Sequence, residues 1–145
     1  MKILLMNGPN LNLLGVREPE VYGSTTLADI EEMFRAYAAE QGVDEVECFQ
    51  SNHEGALIDK IHESMGVFDG IVYNPGAHTH YSYAIHDAIT SVTTPIVEIH
   101  ISDVAAREDF RQLSYARLAC FATVMGEGLE CYRSALRLLA DHLRS

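Results

Sequence analysis

Short apolar runs alternate with amphipathic helical stretches along this chain, with no linker, repeat or low-complexity segment between them. Ile3-Leu4-Leu5-Met6, Gly70-Ile71-Val72-Tyr73, Pro95-Ile96-Val97-Glu98-Ile99 and Cys120-Phe121-Ala122-Thr123-Val124-Met125 are nearly continuous apolar runs, which marks strands buried on both faces. Glu45-Val46-Glu47-Cys48-Phe49 alternates instead and reads as a further strand. Between the strands, Leu27, Ile30, Phe34 and Ala38 share one helical face behind a Thr26–Asp29 capping-box pair. Ser51 and Glu54 form a similar pair before a helix carrying Leu57, Ile58, Ile61 and Met65. Residues 80–91 predict another helix, a short helical turn follows near Arg107–Phe110, and Leu129, Tyr132, Leu136, Leu139 and Leu143 mark the last. Five β-α units of this kind predict a flavodoxin-like α/β fold. The expected architecture is a doubly wound, five-stranded parallel sheet with helices on both faces, forming one domain over residues 1–145.

In such a fold, ligands bind outside the carboxyl ends of the strands. The connection after the first strand is the most informative of those ends. Residues 8–23 span a stretch where an ordinary connection takes about 2–6 residues, and loops of that length tend to be lids or binding loops. This one carries Asn10, Asn12, Arg17, Tyr22 and three glycines. After the third strand comes Asn74-Pro75-Gly76-Ala77-His78-Thr79-His80. The fourth ends in Glu98 and His100, followed by Ile101-Ser102, Arg107 and Arg111. With Asn7 and Asn10, these groups converge on one rim, and the site is expected there.

Composition narrows the partners. A net charge of −11 argues against nucleic acid or an anionic membrane, both of which need a basic face. An anionic substrate would therefore be held by a few local donors. Cys48, Cys120 and Cys131 lack metal-ligand spacing and sit in apolar surroundings, as reduced thiols of a cytoplasmic protein do. No signal pattern or 18-residue apolar run is present, so no membrane association is expected. The chain lacks the dinucleotide fingerprint, the phosphate-binding P-loop and the G-x-S-x-G elbow. His78, His80 and His86 have no carboxylate or Cys cluster beside them, so no metal or other cofactor is expected. Lys2 and Lys60 lie away from the rim, which leaves no lysine placed for a Schiff base.

Taken together, the motifs resemble the type II 3-dehydroquinate dehydratase (type II dehydroquinase) family over nearly the whole chain. Asn7-Gly8-Pro9-Asn10-Leu11-Asn12-Leu13-Leu14-Gly15, Arg17-Glu18-Pro19 and Tyr22-Gly23 look like that family's opening signature. Gln50-Ser51-Asn52-His53-Glu54-Gly55, Asn74-Pro75-Gly76-Ala77, Thr79-His80, Glu98-Ile99-His100-Ile101-Ser102 and Ala106-Arg107-Glu108 continue it in order. The resemblance implies reversible dehydration of 3-dehydroquinate to 3-dehydroshikimate, a step of the shikimate and quinate pathways.

By the same resemblance, Tyr22 acts as a tyrosinate base, with Arg17 favouring its anion, because a free Tyr has a pKa of about 10. Asn10 helps hold a water against the enolate oxygen. His100 protonates the departing hydroxyl, and Glu98 orients its ring. The backbone amides and hydroxyl of Ile101-Ser102, with Asn74, hold the substrate carboxylate, while His80 and Arg111 take ring hydroxyls. Asp87 is expected to reach a neighbouring subunit's site, since family members form trimers grouped into a dodecamer. The chain departs from the family pattern at Tyr81, His86, Asp103, Ala105 and Leu113, and at Ala116-Arg117-Leu118, where Leu-Ser-Pro is usual. The alternative is a non-catalytic carboxylate-binding paralogue of the same fold. A flavin or nucleotide carrier is a more distant third.

Overall fold

A computed structural model describes every residue except Glu18, and every side chain except those of Glu18, Val21 and Tyr22. Strand β1 (Lys2–Asn7) leads through a 3-10 turn at Leu11–Leu13 to the short helix α1 (Pro19–Tyr22) and then to α2 (Leu27–Glu40). Next come β2 (Glu45–Gln50), α3 (Glu54–Glu63) and β3 (Gly70–Asn74). A 3-10 turn at Gly76–His80 precedes α4 (Tyr83–Thr90) and β4 (Ile96–His100). Two more such turns, Val104–Ala106 and Asp109–Arg111, lead to α5 (Tyr115–Ala119), β5 (Ala122–Met125) and α6 (Glu130–Arg144). The strands are parallel in the order β2-β1-β3-β4-β5, which is the flavodoxin-like winding. No helix among the described residues is long and apolar enough to cross a membrane.

The unbroken apolar runs of β1, β3 and β4 follow from burial on both faces, whereas β5, at one sheet edge, is only half-buried despite its expected burial. Along β1, Ile3 and Leu5 pack with Phe34 of α2 and with Tyr132, Leu136 and Leu139 of α6. Leu4 and Met6 point the other way, into a second core with Leu57 and Ile61 of α3 and with Ile85 and Ile89 of α4. Alternate residues of one strand thus serve two cores. β2, at the sheet edge, is only half-buried, which explains its alternation.

Several boundaries differ from the expectation, each for a local reason. The capping box of α2 forms: Asp29 N–H donates to Thr26 Oγ1 at 3.2 Å and Thr26 N–H to Asp29 Oδ2 at 3.1 Å. The expected box on α3 does not. Ser51 Oγ accepts from His53 N–H at 2.9 Å, and the Glu54 carboxylate is taken by Ser82 Oγ at 2.6 Å. Met65 lies beyond α3 and is exposed. The helix expected over 80–91 starts at Tyr83, because Ser82 caps it by accepting Ile85 N–H at 2.9 Å. Cys120 and Phe121 fall outside β5, since Cys120 closes α5 by donating to Ala116 O at 3.0 Å. The sequence pattern did not anticipate α5, a helix of one and a half turns.

Register sets the rim. Asn7 pairs with both Gln50 and Asn74, so three strand ends finish level. Gly8 then crosses directly over Pro75. A Cβ there would sit 2.6 Å from Pro75 O, and Gly8 N–H donates to Asn74 O at 2.7 Å. Only glycine fits so close a crossing.

Candidate active site

The loop after β1 is anchored before it reaches the rim. Leu11 and Leu14 are buried in the core. Gln50 Nε2 donates to Gly8 O at 3.1 Å and to Asn52 Oδ1 at 3.2 Å, and Asn52 Oδ1 also accepts Asn10 N–H at 2.9 Å. The stretch after β2 therefore clamps the first turn of the loop. Asn10 occupies a left-handed conformation, with φ of 70°, which asparagine tolerates better than most residues.

Above the carboxyl ends of β1, β3 and β4 lies a cleft of about 600 Å³, counted to its open mouth. Asn10, Arg17, Asn74, His80, His100, Ile101, Ser102, Arg107 and Arg111 line it, beside an apolar wall of Pro9, Leu11, Ala77 and Val104. Three arginines in a chain of net charge −11 make the cleft suited to an anion.

Its polar groups are held from outside. The buried Asn74 accepts Gly76 N–H at 3.1 Å through Oδ1. Ser102 Oγ accepts from Arg107 Nη1 at 3.5 Å. The Arg111 Nε pairs with Glu108, and its guanidinium lies over the Phe110 ring, 4.6 Å from the centroid. His80 Nδ1 meets Leu113 O at 2.7 Å, and its ring stacks on His100 with centroids 6.4 Å apart. Burial holds the His80 pKa below the ordinary histidine value, helped by the charges of His100 and Arg111 and opposed by the Leu113 carbonyl.

Behind His100 sits Glu98, fully buried. His100 Nε2 meets Glu98 Oε1 at 2.5 Å. Thr79 Oγ1 and Ser114 Oγ lie 3.0 and 2.8 Å from the same oxygen and also contact each other. Two hydroxyl protons thus serve three short contacts. Thr123 Oγ1 donates to Oε2 at 3.3 Å. Burial pushes the Glu98 pKa up, but the bond and charge of His100, with the Ser114 and Thr79 hydroxyls, outweigh it and hold the carboxyl below its ordinary value. An anion fixed in this way can orient an imidazole.

One expected rim residue lies elsewhere. Asn7 is buried beneath the cleft, where its Oδ1 accepts the Tyr132 hydroxyl at 2.7 Å. Asp87 is exposed on α4 and pairs with His86 at 3.1 Å; it does not line the cleft. Tyr22 ends α1, and its side chain lies outside the described residues. No group of three His, Cys, Asp or Glu suited to a metal ion occurs among the described residues. Sequence reasoning placed Thr79 on the rim without a role and missed the Ser114 and Thr123 hydroxyls around Glu98. Nothing in their spacing marks them, because they come from separate segments.

The family model described as dehydroquinase class II matches residues 1–140. A 3-dehydroquinate dehydratase of Bacillus cereus (strain AH187) is 53% identical over 143 residues, covering 99% of this chain and 97% of the relative. The crystal structure of type II dehydroquinase from Butyrivibrio crossotus superposes with a TM-score of 0.93 at 50% identity, over 96% of this chain and 97% of that one. That of Propionibacterium acnes gives 0.92 at 41% identity, over 97% and 96%.

Proposed function

The chain belongs to the class II dehydroquinase family, and from that premise we propose that it dehydrates 3-dehydroquinate reversibly to 3-dehydroshikimate. The observation that carries this reading is the cationic cleft, with His100 on its wall and the buried Glu98 anion behind it. A carbocyclic acid matches its charge. Ile101-Ser102 and Asn74 receive the substrate carboxylate, and His80 and Arg111 the ring hydroxyls.

In the proposed reaction, Tyr22 as tyrosinate takes the proton from carbon 2, beside the ketone. Arg17 stabilises that tyrosinate. The C–H electron pair moves to form an enolate, whose oxygen is met by a water held on Asn10. The electrons then return to make the carbon 1–carbon 2 double bond as the carbon 1–oxygen bond breaks. His100 donates a proton to the departing hydroxyl, which leaves as water. Glu98 stays anionic throughout and keeps the His100 ring in line. The reading extends to a homo-oligomer in which Asp87 serves a neighbour's cleft.

The product is a conjugated enone and its substrate is not, so ultraviolet absorbance reports turnover directly. The purified protein is expected to produce that absorbance from 3-dehydroquinate. Binding without any rise would favour the carboxylate-binding alternative, and neither binding nor rise would remove the reading altogether.

A further inference from the structure

The dehydration scheme leaves one charged neighbour of Glu98 unused. Arg117, on α5, brings its Nε to 3.8 Å from Glu98 Oε2. We propose that Arg117 is a positioning residue whose fixed charge keeps Glu98 ionised while His100 gives up and regains its proton. This rests on the reading of His100 as the acid.

The two oxygens of Glu98 are unequally served. Oε1 has His100, Thr79 and Ser114, whereas Oε2 has the 3.3 Å bond from Thr123 and the Arg117 guanidinium. Hydroxyls supply hydrogen bonds but no net charge, and an anion fully buried without a counter-charge takes a proton instead. His100 is a cation only until it protonates the leaving hydroxyl, while Arg117 is always one. Among the described residues, His80, Tyr73 and Cys120 also feel the charge of Glu98, and burial pushes the Tyr73 and Cys120 pKa values up, keeping both neutral. Arg117 is therefore, among the described residues, the permanent positive charge that pairs with this carboxylate.

The fold supports the assignment. Arg117 Nε is buried and takes no hydrogen bond among the described residues, so Glu98 is the partner it faces. Ser114 Oγ accepts Arg117 N–H at 3.1 Å while its own contact with Glu98 is 2.8 Å. The cap that starts α5 thus fixes hydroxyl and cation against one carboxylate. Arg117 also lies in the Ala116-Arg117-Leu118 stretch, where the chain departs from the usual family pattern.

The test follows the Glu98 carboxyl carbon by NMR against pH in carbon-13-labelled protein, with Arg117→Gln to remove the charge and Arg117→Lys to restore it. The Glu98 midpoint is expected to rise by about one pH unit in Arg117→Gln, a tenfold easier protonation, and to return most of the way in Arg117→Lys. Arg117→Met serves as a second neutral variant should Arg117→Gln fold poorly. In parallel, kcat is expected to fall while KM stays constant, with the loss deepening toward acid pH and recovered by Lys. Equal midpoints in parent and neutral variant overturn the proposal, as does a kcat loss that Lys fails to recover. A parent inactive toward 3-dehydroquinate would defeat the dehydratase reading alone, and the carboxyl titration would still decide the role of Arg117.

Discussion

Glu98 is fully buried, and its charge survives because five side chains, those of His100, Thr79, Ser114, Thr123 and Arg117, donate into it or face it. Glu98→Gln keeps the shape but removes the anion behind His100. Turnover is expected to fall about 10²-fold, with the fold retained by circular dichroism. The same carboxyl links stability to pH. Its pKa in the fold lies below the ordinary 4.5, so its contribution is complete above 4.5 and is lost as pH falls through the lower, folded value. Urea unfolding of parent and variant should therefore converge as pH drops below that point. Position at the end of a buried strand was enough to single out Glu98 and His100 from sequence. Their hydroxyl partners were not legible, because hydrogen bonds between distant segments leave no periodic trace.

Among the elements, those made by repeating patterns were readable and those made by single contacts were not. The strands of the sheet and the faces of α2 and α6 follow from hydrophobic period, and the α2 cap from its own four residues. The cap expected on α3 failed because Ser82, from another helix, took the Glu54 carboxylate. α5 was invisible because a helix of five residues is too short to show a period. The connection after β1 was legible from its length and chemistry as a loop that reaches the rim, but its clamp by Gln50 and Asn52 was not. Gly8→Ala would drive a methyl into Pro75 backbone atoms at 2.6 and 2.9 Å, and neither atom can step aside cheaply. Stability is expected to fall by about 1–3 kcal/mol, and substrate affinity with it, because Asn10 shifts along with the loop. Chemical unfolding and substrate titration measure the two effects. A variant of parental stability would show that the crossing relaxes freely.

For the molecule as a whole, pH dependence and assembly reach beyond the cleft. His78 is buried with its Nδ1 unpartnered among the described residues, and burial lowers its pKa from 6.5, opposed by the charge of Glu54. A histidine kept neutral by folding contributes fully above its unfolded value and loses that contribution as pH falls through its folded one. Parent stability should thus decline below pH 6.5, and His78→Leu should flatten that decline in unfolding curves taken across it. Asp87, exposed on α4, gives the proposed assembly its test. Asp87→Ala and Tyr22→Phe subunits, unfolded together and reassembled, are expected to exceed the average activity of the two parents, because some mixed sites combine an intact Tyr22 with an intact Asp87. Mixtures that never exceed that average would confine Asp87 to its own subunit. The central claim, that this cleft removes a proton with a tyrosinate and expels water, is tested most directly by the turnover of Tyr22→Phe on 3-dehydroquinate. The account predicts a fall of about 10²-fold or more with the fold intact, and a Phe variant turning over near the parent rate would contradict it.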